Sequence, residues 1–494
     1  MADPAAPHDS VLGRPRPARF RPTRLAGLLL VAVGGLAVLG VGFARTAGGL
    51  AGGRTDGLPG GSPVAALSST PPAPSASAPS GIPQSPSPSG PSPSGPPASP
   101  EPSSPAPSSP PATGPPSAPL AVQLQATLDR VRTKLAIPGV SATIVLPDGS
   151  SWTGVSGLAD VKARTKVSAD TAFAYASVSK TFTSALILQL IGEGRLRLTD
   201  SAARILPPLR LKIDPRITVG MLLNHTSGLA DFFLNPKIDR PLQSSPTTAW
   251  TVDRALRYVG KRLSAPGAAW HYSNTNYLLL GLIAERLTGQ SLADAIRTRL
   301  LDPTGLADTW YQAGEANRTA IAHGYRFIGT SRSAKPIDLA DGSGIGPFRS
   351  VVTAAGGAGS MAGTSTDLAR WARALYGGKV LGPAGTAMLL SGFSKTTNYL
   401  PGVAYGYGIQ AISIDGHASL GHSGRLLGFR SAVRHFPIDG VTIAVLTNQS
   451  RADPATIVRA LLAIAAPKPS VAPSPAEPVP SSTPPSCTGC LRVR

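Results

Sequence analysis

The sequence predicts an α/β protein of the α+β kind: an antiparallel sheet flanked by helices, built from both ends of one domain, with an inserted, mainly helical lobe. Three observations predict it. Strand-like runs joined by hairpin turns stand near both ends of the globular sequence. Helical periods fill the middle. The globular stretch, residues 120–466, is longer than the ~250–300 residues at which a single core stops growing, so two lobes are expected. The chain has 494 residues with 51 Pro and 54 Gly. Most of the Pro lies between residues 58 and 119 and after residue 466, outside that stretch.

The elements follow in order. Residues 1–24 form a basic tail, with Arg14, Arg16, Arg19, Arg21 and Arg24 against Asp3 and Asp9. Leu25–Ala44 is uncharged throughout and long enough to cross a ~30 Å hydrocarbon core. The basic flank should stay in the cytoplasm, with the rest of the chain outside. The alternative is a cleavable signal peptide, since Gly42 and Ala44 are small. The apolar run exceeds the ~7–15 residues usual in signal peptides, which favours an anchor. No twin-Arg pair precedes it, so general secretion is the expected route. Residues 45–119 are rich in Pro, Ser, Ala and Gly and cannot bury a core, so they read as an extended stalk suited to an enzyme working inside a cell wall. Residues 467–494 read as a second Pro-rich disordered tail, ending in Cys487-Thr488-Gly489-Cys490. These are the only two cysteines. They exclude a disulfide scaffold and a Cys-based metal core, and fit a small local disulfide or no role.

Within 120–466, Leu124, Leu128, Val131 and Leu135 recur on one helical face. Val140–Leu146 and Ser151–Gly157 flank Pro147-Asp148-Gly149 as a hairpin. Ser431–Phe436 and Val441–Thr447 flank Asp439-Gly440 in the same way. Residues ~195–345 carry the helical insertion, and a ligand site between the lobes is expected. The formal net charge is +20. Residues 120–467 hold 36 Lys+Arg against 21 Asp+Glu, scattered without a basic stripe. That pattern argues against nucleic-acid binding. It allows attraction to an anionic polymer or surface.

Three motifs, each occurring once, carry candidate chemistry. Ser177-Val178-Ser179-Lys180 leads into an apolar helical run, so Ser177 and Lys180 share a face one turn apart. A serine hydroxyl needs a base within hydrogen-bond reach, and a lysine serves if burial depresses its pKa. Tyr272-Ser273-Asn274 follows Pro266-Gly267 on a loop and precedes the helix Tyr277–Thr288, ended by Gly289. His422-Ser423-Gly424 precedes the last strands and belongs to a strand of the α/β lobe. Taken singly, each fits a bland structural role: a solvated Lys, a capping Asn, a satisfied His. Together, in order and on three separate elements, they argue for a site. Neither HExxH nor another tight His/carboxylate cluster appears among the seven His, so no metal or other cofactor is implied. GxSxG is absent, against an α/β-hydrolase.

With these motifs the sequence resembles the serine β-lactamase and D-alanyl-D-alanine peptidase superfamily, specifically the class C β-lactamase-like branch, over about residues 122–466. Leu222-Leu223-Asn224-His225-Thr226-Ser227-Gly228-Leu229, Ala269-Trp270-His271, Ala355-Gly356-Gly357 with Asp367-Leu368, and Tyr405-Gly406-Tyr407-Gly408 add to the likeness. The resemblance implies a β-lactamase/transpeptidase-like fold and a serine hydrolase acting through an acyl-enzyme. By the same resemblance, Ser177 is the nucleophile and Lys180 takes its proton. Tyr272 is a second acid/base group, and Asn274 orients the substrate amide. His422 stands where many relatives have lysine, and Ser423 touches the substrate beside Gly424. The backbone N–H groups of Ser177 and Arg425 form the oxyanion hole, with donors worth a few kcal/mol each. The third motif departs from the KTG usual in lactamases; by the resemblance, some DD-peptidases and esterases carry His there, which lowers the lactamase reading. The favoured substrate is a D-alanyl-D-alanine peptide of the cell wall, with an esterase or β-lactamase on the same scaffold as the alternative. A catalytically silent penicillin-binding or sensor protein is the alternative from another class. Strand alternation puts Ser423 and Arg425 on one face, with Arg425 suited to grip a substrate carboxylate. The partners expected are a small peptide, β-lactam or ester, cell-wall peptidoglycan, and the membrane through Leu25–Ala44.

Overall fold

The computed structural model describes residues 114–328, 334–397 and 399–466. The apolar segment Leu25–Ala44, most of the stalk and the tail with Cys487 and Cys490 lie outside the described residues. No helix among the described residues is long and apolar enough to cross a membrane.

Fourteen strands are described. They are β1 (Gly139–Val145), β2 (Ser151–Asp160), β3 (Thr165–Lys166), β4 (Phe173–Ala174), β5 (Thr309–Tyr311), β6 (Tyr325–Phe327) and β7 (Pro336–Asp338). The remainder are β8 (Met361–Gly363), β9 (Ser394–Lys395), β10 (Ala404–Tyr405), β11 (Gln410–Ile414), β12 (His417–Leu426), β13 (Phe429–Phe436) and β14 (Val441–Thr447). Nine of them form one sheet in the order β3-β2-β1-β14-β13-β12-β11-β10-β9. Every pair in it is antiparallel. The two ends of the domain meet at its centre, where Val140 pairs with Thr447 and Val145 with Thr442. Both expected hairpins are present, around Pro147-Asp148-Gly149 and Asp439-Gly440. A small sheet, β4-β8-β5, lies apart from the large one.

The first helix, Ala118–Lys134, buries Leu124, Leu128 and Val131, the predicted face. It starts two residues before the expected boundary at 120, and Ser151 N–H already donates to the Gly114 carbonyl. The Pro in its first turn, counted by composition with the stalk, is a helix-start residue because its missing N–H costs nothing there. This helix packs with Ile457, Val458, Leu461 and Leu462 of the helix Ala455–Ala465 over Val140, Ile144, Ile443 and Val445. Each such side chain contributes about 1.5–3 kcal/mol through burial.

The second core surrounds the helix Ser179–Gly192, buried on nearly all sides, with Phe182, Leu186, Ile187 and Leu190 inaccessible. Its Ser179, Lys180, Thr181, Thr183 and Ser184 side chains are all hydrogen-bonded, which lets a helix with polar residues sit in the centre of a protein. It fixes the position of whatever precedes it, and Ser177 lies in the 3-10 turn Ala176–Val178 at its head. Short helices between Ala202 and Ile296 surround the helix Asn274–Thr288, which ends at left-handed Gly289. The insertion is helical up to about residue 301; β5, β6 and β7 then follow, so its second part is not helical as expected.

Candidate active site

Ser177 stands on a strained turn. Ala176, just before it, is a non-glycine residue at φ 49°. Such left-handed backbone costs of order 1–3 kcal/mol and persists only where the surroundings impose it. Here Ser431 Oγ donates to the Tyr175 carbonyl at 2.6 Å, tying the turn to β13. Gly424 of β12 lies directly beneath. A Cβ there would meet Ser431 Oγ at 2.2 Å and the Tyr175 carbonyl at 2.4 Å, so only glycine lets the strand come this close. The third motif is thereby packed against the first.

Lys180 is fully buried. Its Nζ donates to Ser177 Oγ at 3.1 Å, Asn274 Oδ1 at 2.7 Å and the Ala358 carbonyl at 2.8 Å. Burial pushes its pKa down to about 7, partly opposed by the Asp231 carboxylate. When the amine is neutral, Asn274 and Ala358 hold its two hydrogens. The lone pair then faces Ser177 Oγ, which is the geometry of a general base.

Asn274, the first residue of its helix, donates Nδ2–H to Asp231 Oδ2 at 2.7 Å. Asp231 is buried and held by the Phe233 N–H at 3.0 Å. Burial raises its pKa, opposed by that N–H bond and by the nearby lysine. The ring of half-buried Tyr272 lies 5.0 Å from Lys180 Nζ, and Ser177 is among the groups that act on its phenol. Burial raises the phenol well above its ordinary range, so it stays protonated and can donate. Ser177, Lys180, Tyr272 and Asn274 thus converge.

His422, expected among the catalytic residues at the place where many relatives have lysine, lies in β12. It is fully buried, Nδ1 donates to the Ser423 carbonyl at 2.6 Å, and Nε2 receives the Tyr405 hydroxyl at 2.9 Å. Burial and Lys180 hold its pKa well below the ordinary value, so it is neutral. Both ring nitrogens are occupied, and its role is to hold Tyr405. Strand β12 continues through Arg425, which pairs with Arg430, to Leu426. Arg425 is therefore a strand residue, alternating in phase with Ser423. Ser423 N–H donates to Gln410 Oε1 at 3.1 Å, and Gln410 Nε2 donates to Ser423 Oγ at 3.2 Å.

Several residues at the site stand outside the three motifs. Asp231 is a lone carboxylate in the apolar run Leu229–Leu234, the one hint a sequence could give. His225, at φ 65° and fully buried, lies 4.4 Å from the Tyr272 ring. Its Nδ1 accepts from Ser273 N–H and the Asn276 amide, both at 3.2 Å, so the hydrogen is on Nε2. Tyr399 stacks on Tyr272 at 5.3 Å and 13°. The expected lack of a His/carboxylate cluster needs a correction away from this site. His323 Nδ1 lies 2.9 Å from Asp338 and 3.7 Å from Asp160, residues too distant in sequence for a spacing to reveal.

A part-buried serine facing a fully buried lysine, beside a tyrosine and the inner strand β12, is the arrangement a serine hydrolase needs. The Beta-lactamase family model matches residues 124–466. Penicillin-binding protein 4 of Amycolatopsis lactamdurans is 32% identical over 340 residues, 66% of this chain and 84% of that protein. The chain belongs to the Beta-lactamase family. Esterase EstB of Burkholderia gladioli is 32% identical over 215 residues, 41% of this chain and 55% of that protein. The crystal structure of a D-stereospecific amidohydrolase from Streptomyces superposes with a TM-score of 0.60 at 27% identity, covering 69% of this chain and 98% of that one.

Proposed function

We propose that this protein is a D-alanyl-D-alanine carboxypeptidase-like enzyme of cell-wall peptides, held outside the cytoplasmic membrane by Leu25–Ala44. The observation that carries the substrate reading is the course of β12. Ser423 and Arg425 stand two apart on one strand, beside the turn of Ser177. A hydroxyl and a guanidinium so spaced suit a peptide's terminal carboxylate. The names of a penicillin-binding protein and a D-stereospecific amidohydrolase among the similar proteins support a D-configured amide.

In this reading neutral Lys180 takes the Ser177 proton as Oγ bonds to the substrate carbonyl carbon. The N–H groups of Ser177 and Arg425 receive the developing oxyanion. The C–N bond breaks as Tyr272 passes a proton to the leaving amine, and Lys180 returns its proton to the tyrosine. Water then hydrolyses the ester on Ser177 by the same steps in reverse order. Asn274 keeps Lys180 aimed and contacts the substrate amide. A second reading, an esterase or β-lactamase on the same scaffold, is supported by the likeness to EstB.

A hydrolysis panel separates them: an N-acylated D-Ala-D-Ala peptide, nitrocefin and a short p-nitrophenyl ester. The peptide should give the highest kcat/KM; ester turnover without peptide turnover would overturn the carboxypeptidase reading. Retention of a fluorescent penicillin without turnover of any substrate would identify a silent binder. For the location, a mature protein that begins near Arg45 and is soluble would replace the anchor with a cleaved signal peptide.

A further inference from the structure

Arg434 of β13 is a buried cation that the mechanism above does not use. It is 5% exposed. Its Nη2 donates to Gln410 Oε1 at 2.6 Å, while Nη1 is buried with no hydrogen-bond partner. Among the described residues it makes no ion pair. Tyr376, Tyr399, His422 and the Asp453 carboxylate lie near enough to interact with it electrostatically. A charge taken out of water without a counter-ion is costly and calls for a compensating role.

The sheet register explains how it reaches its partner. Gln410, Gly421 and Arg434 are paired in a row across β11, β12 and β13. Directly paired residues rise on the same face. At the middle position a Cβ would meet the Val433 carbonyl at 1.9 Å, so Gly421 lets β12 lie close against β13 while Arg434 reaches Gln410.

Gln410, itself fully buried, hands this charge to the cleft. Its Oε1 takes the guanidinium and the Ser423 N–H, and its Nε2 donates to Ser423 Oγ at 3.2 Å and to Tyr399 Oη at 2.6 Å. The reverse contact, Ser423 Oγ donating to Oε1, is longer at 3.4 Å. An amide whose oxygen is bound by a cation is a stronger N–H donor. Both hydroxyls then receive a hydrogen bond from one amide, and both keep their own hydrogens to donate. Neutral His422 supplies no charge, so the charge of Arg434 adds to that of Arg425, two residues beyond Ser423 on the same strand.

We propose that Arg434, acting through Gln410, is a positioning residue that sets a preference for carboxylate-bearing ligands by turning Ser423 and Tyr399 into paired donors over a fixed positive charge. This rests on Ser177 as the reactive serine, but not on which substrate is hydrolysed.

The test is protection of Ser177 from a fluorophosphonate label in the full-length protein. The protecting ligands are N-acetyl-D-alanine and its uncharged amide, N-acetyl-D-alaninamide. Wild type should be protected at lower concentrations of the acid than of the amide. Arg434→Met should weaken protection by the acid ~10- to 100-fold relative to the amide, the range for a charge-assisted hydrogen bond. Arg434→Lys, keeping the charge, should restore most of the preference. If Arg434→Met does not fold, Gln410→Leu cuts the same link and is read by the same ratio. Equal losses for acid and amide, an unchanged ratio, or Lys behaving as Met would overturn the proposal. Because the label needs no substrate, a negative hydrolysis panel would leave this test intact.

Discussion

The helical wall and the strand wall of the site each contain one buried cation joined to it through one carboxamide, and they use it in opposite ways. On the helical wall, Lys180 donates to Asn274, and Asn274 donates to a carboxylate, Asp231. On the strand wall, Arg434 donates to Gln410, and Gln410 donates to Ser423 and Tyr399. The lysine can shed its proton, and burial pushes its pKa down to about 7. The arginine keeps its charge at any working pH. One wall is therefore built to move a proton and the other to hold a charge still. The chemistry of the cation, more than its burial, decides which task it performs.

Breaking the proton-moving wall should have the largest effect. Lys180→Ala should lower the rate of Ser177 acylation by several orders of magnitude, as expected when one member of a catalytic unit is removed; stopped-flow labelling measures it. Tyr272→Phe removes the second proton carrier and should lower kcat ~10²–10⁴-fold while KM changes little. On the strand wall, Arg425→Ala should cost ~10- to 100-fold in kcat/KM for a carboxylate-bearing peptide and leave a simple ester unaffected. Equal losses on both would point to the backbone position instead.

Two pH experiments sharpen the contrast. In wild type, kcat/KM should rise with pH through about 7, because only neutral Lys180 accepts the serine proton. Asp231 favours the charged amine, so Asp231→Asn should move this limb to lower pH without abolishing it. The smallest effect is on stability. Unfolded Lys180 releases its proton near 10.5, folded Lys180 near 7, so between these values the unfolded state binds more protons. Wild type should therefore gain Tm relative to Lys180→Met between pH 7 and 9. A parallel pH dependence of the two proteins would contradict the depressed pKa.

The same contrast marks what a linear sequence can reveal. The hairpins at both ends were legible because turn residues sit between strands of period two. Ser177, Lys180, Tyr272, Asn274 and Ser423 lie in short local motifs on separate elements. Asp231, Gln410, Arg434 and Tyr399 have no such spacing; sheet register and loop packing alone make them neighbours. The Ala358 carbonyl that holds Lys180 is backbone and leaves no residue signature. His422 was visible, but its neutrality depends on burial and on Tyr405, which no spacing encodes. The first helix opens two residues ahead of the expected boundary at 120, because a Pro in the first turn of a helix looks, by composition, like one more stalk residue.

The central claim is that Ser177 forms the covalent bond because Lys180 faces it. Peptide mapping by mass spectrometry after reaction with a β-lactam or fluorophosphonate tests it most directly. One adduct is expected, on Ser177, lost in Ser177→Ala and retained in Ser179→Ala, because the Ser179 hydroxyl is occupied by the Ala176 carbonyl and the Met361 N–H. An adduct on any other serine, or labelling that survives Ser177→Ala, would contradict it.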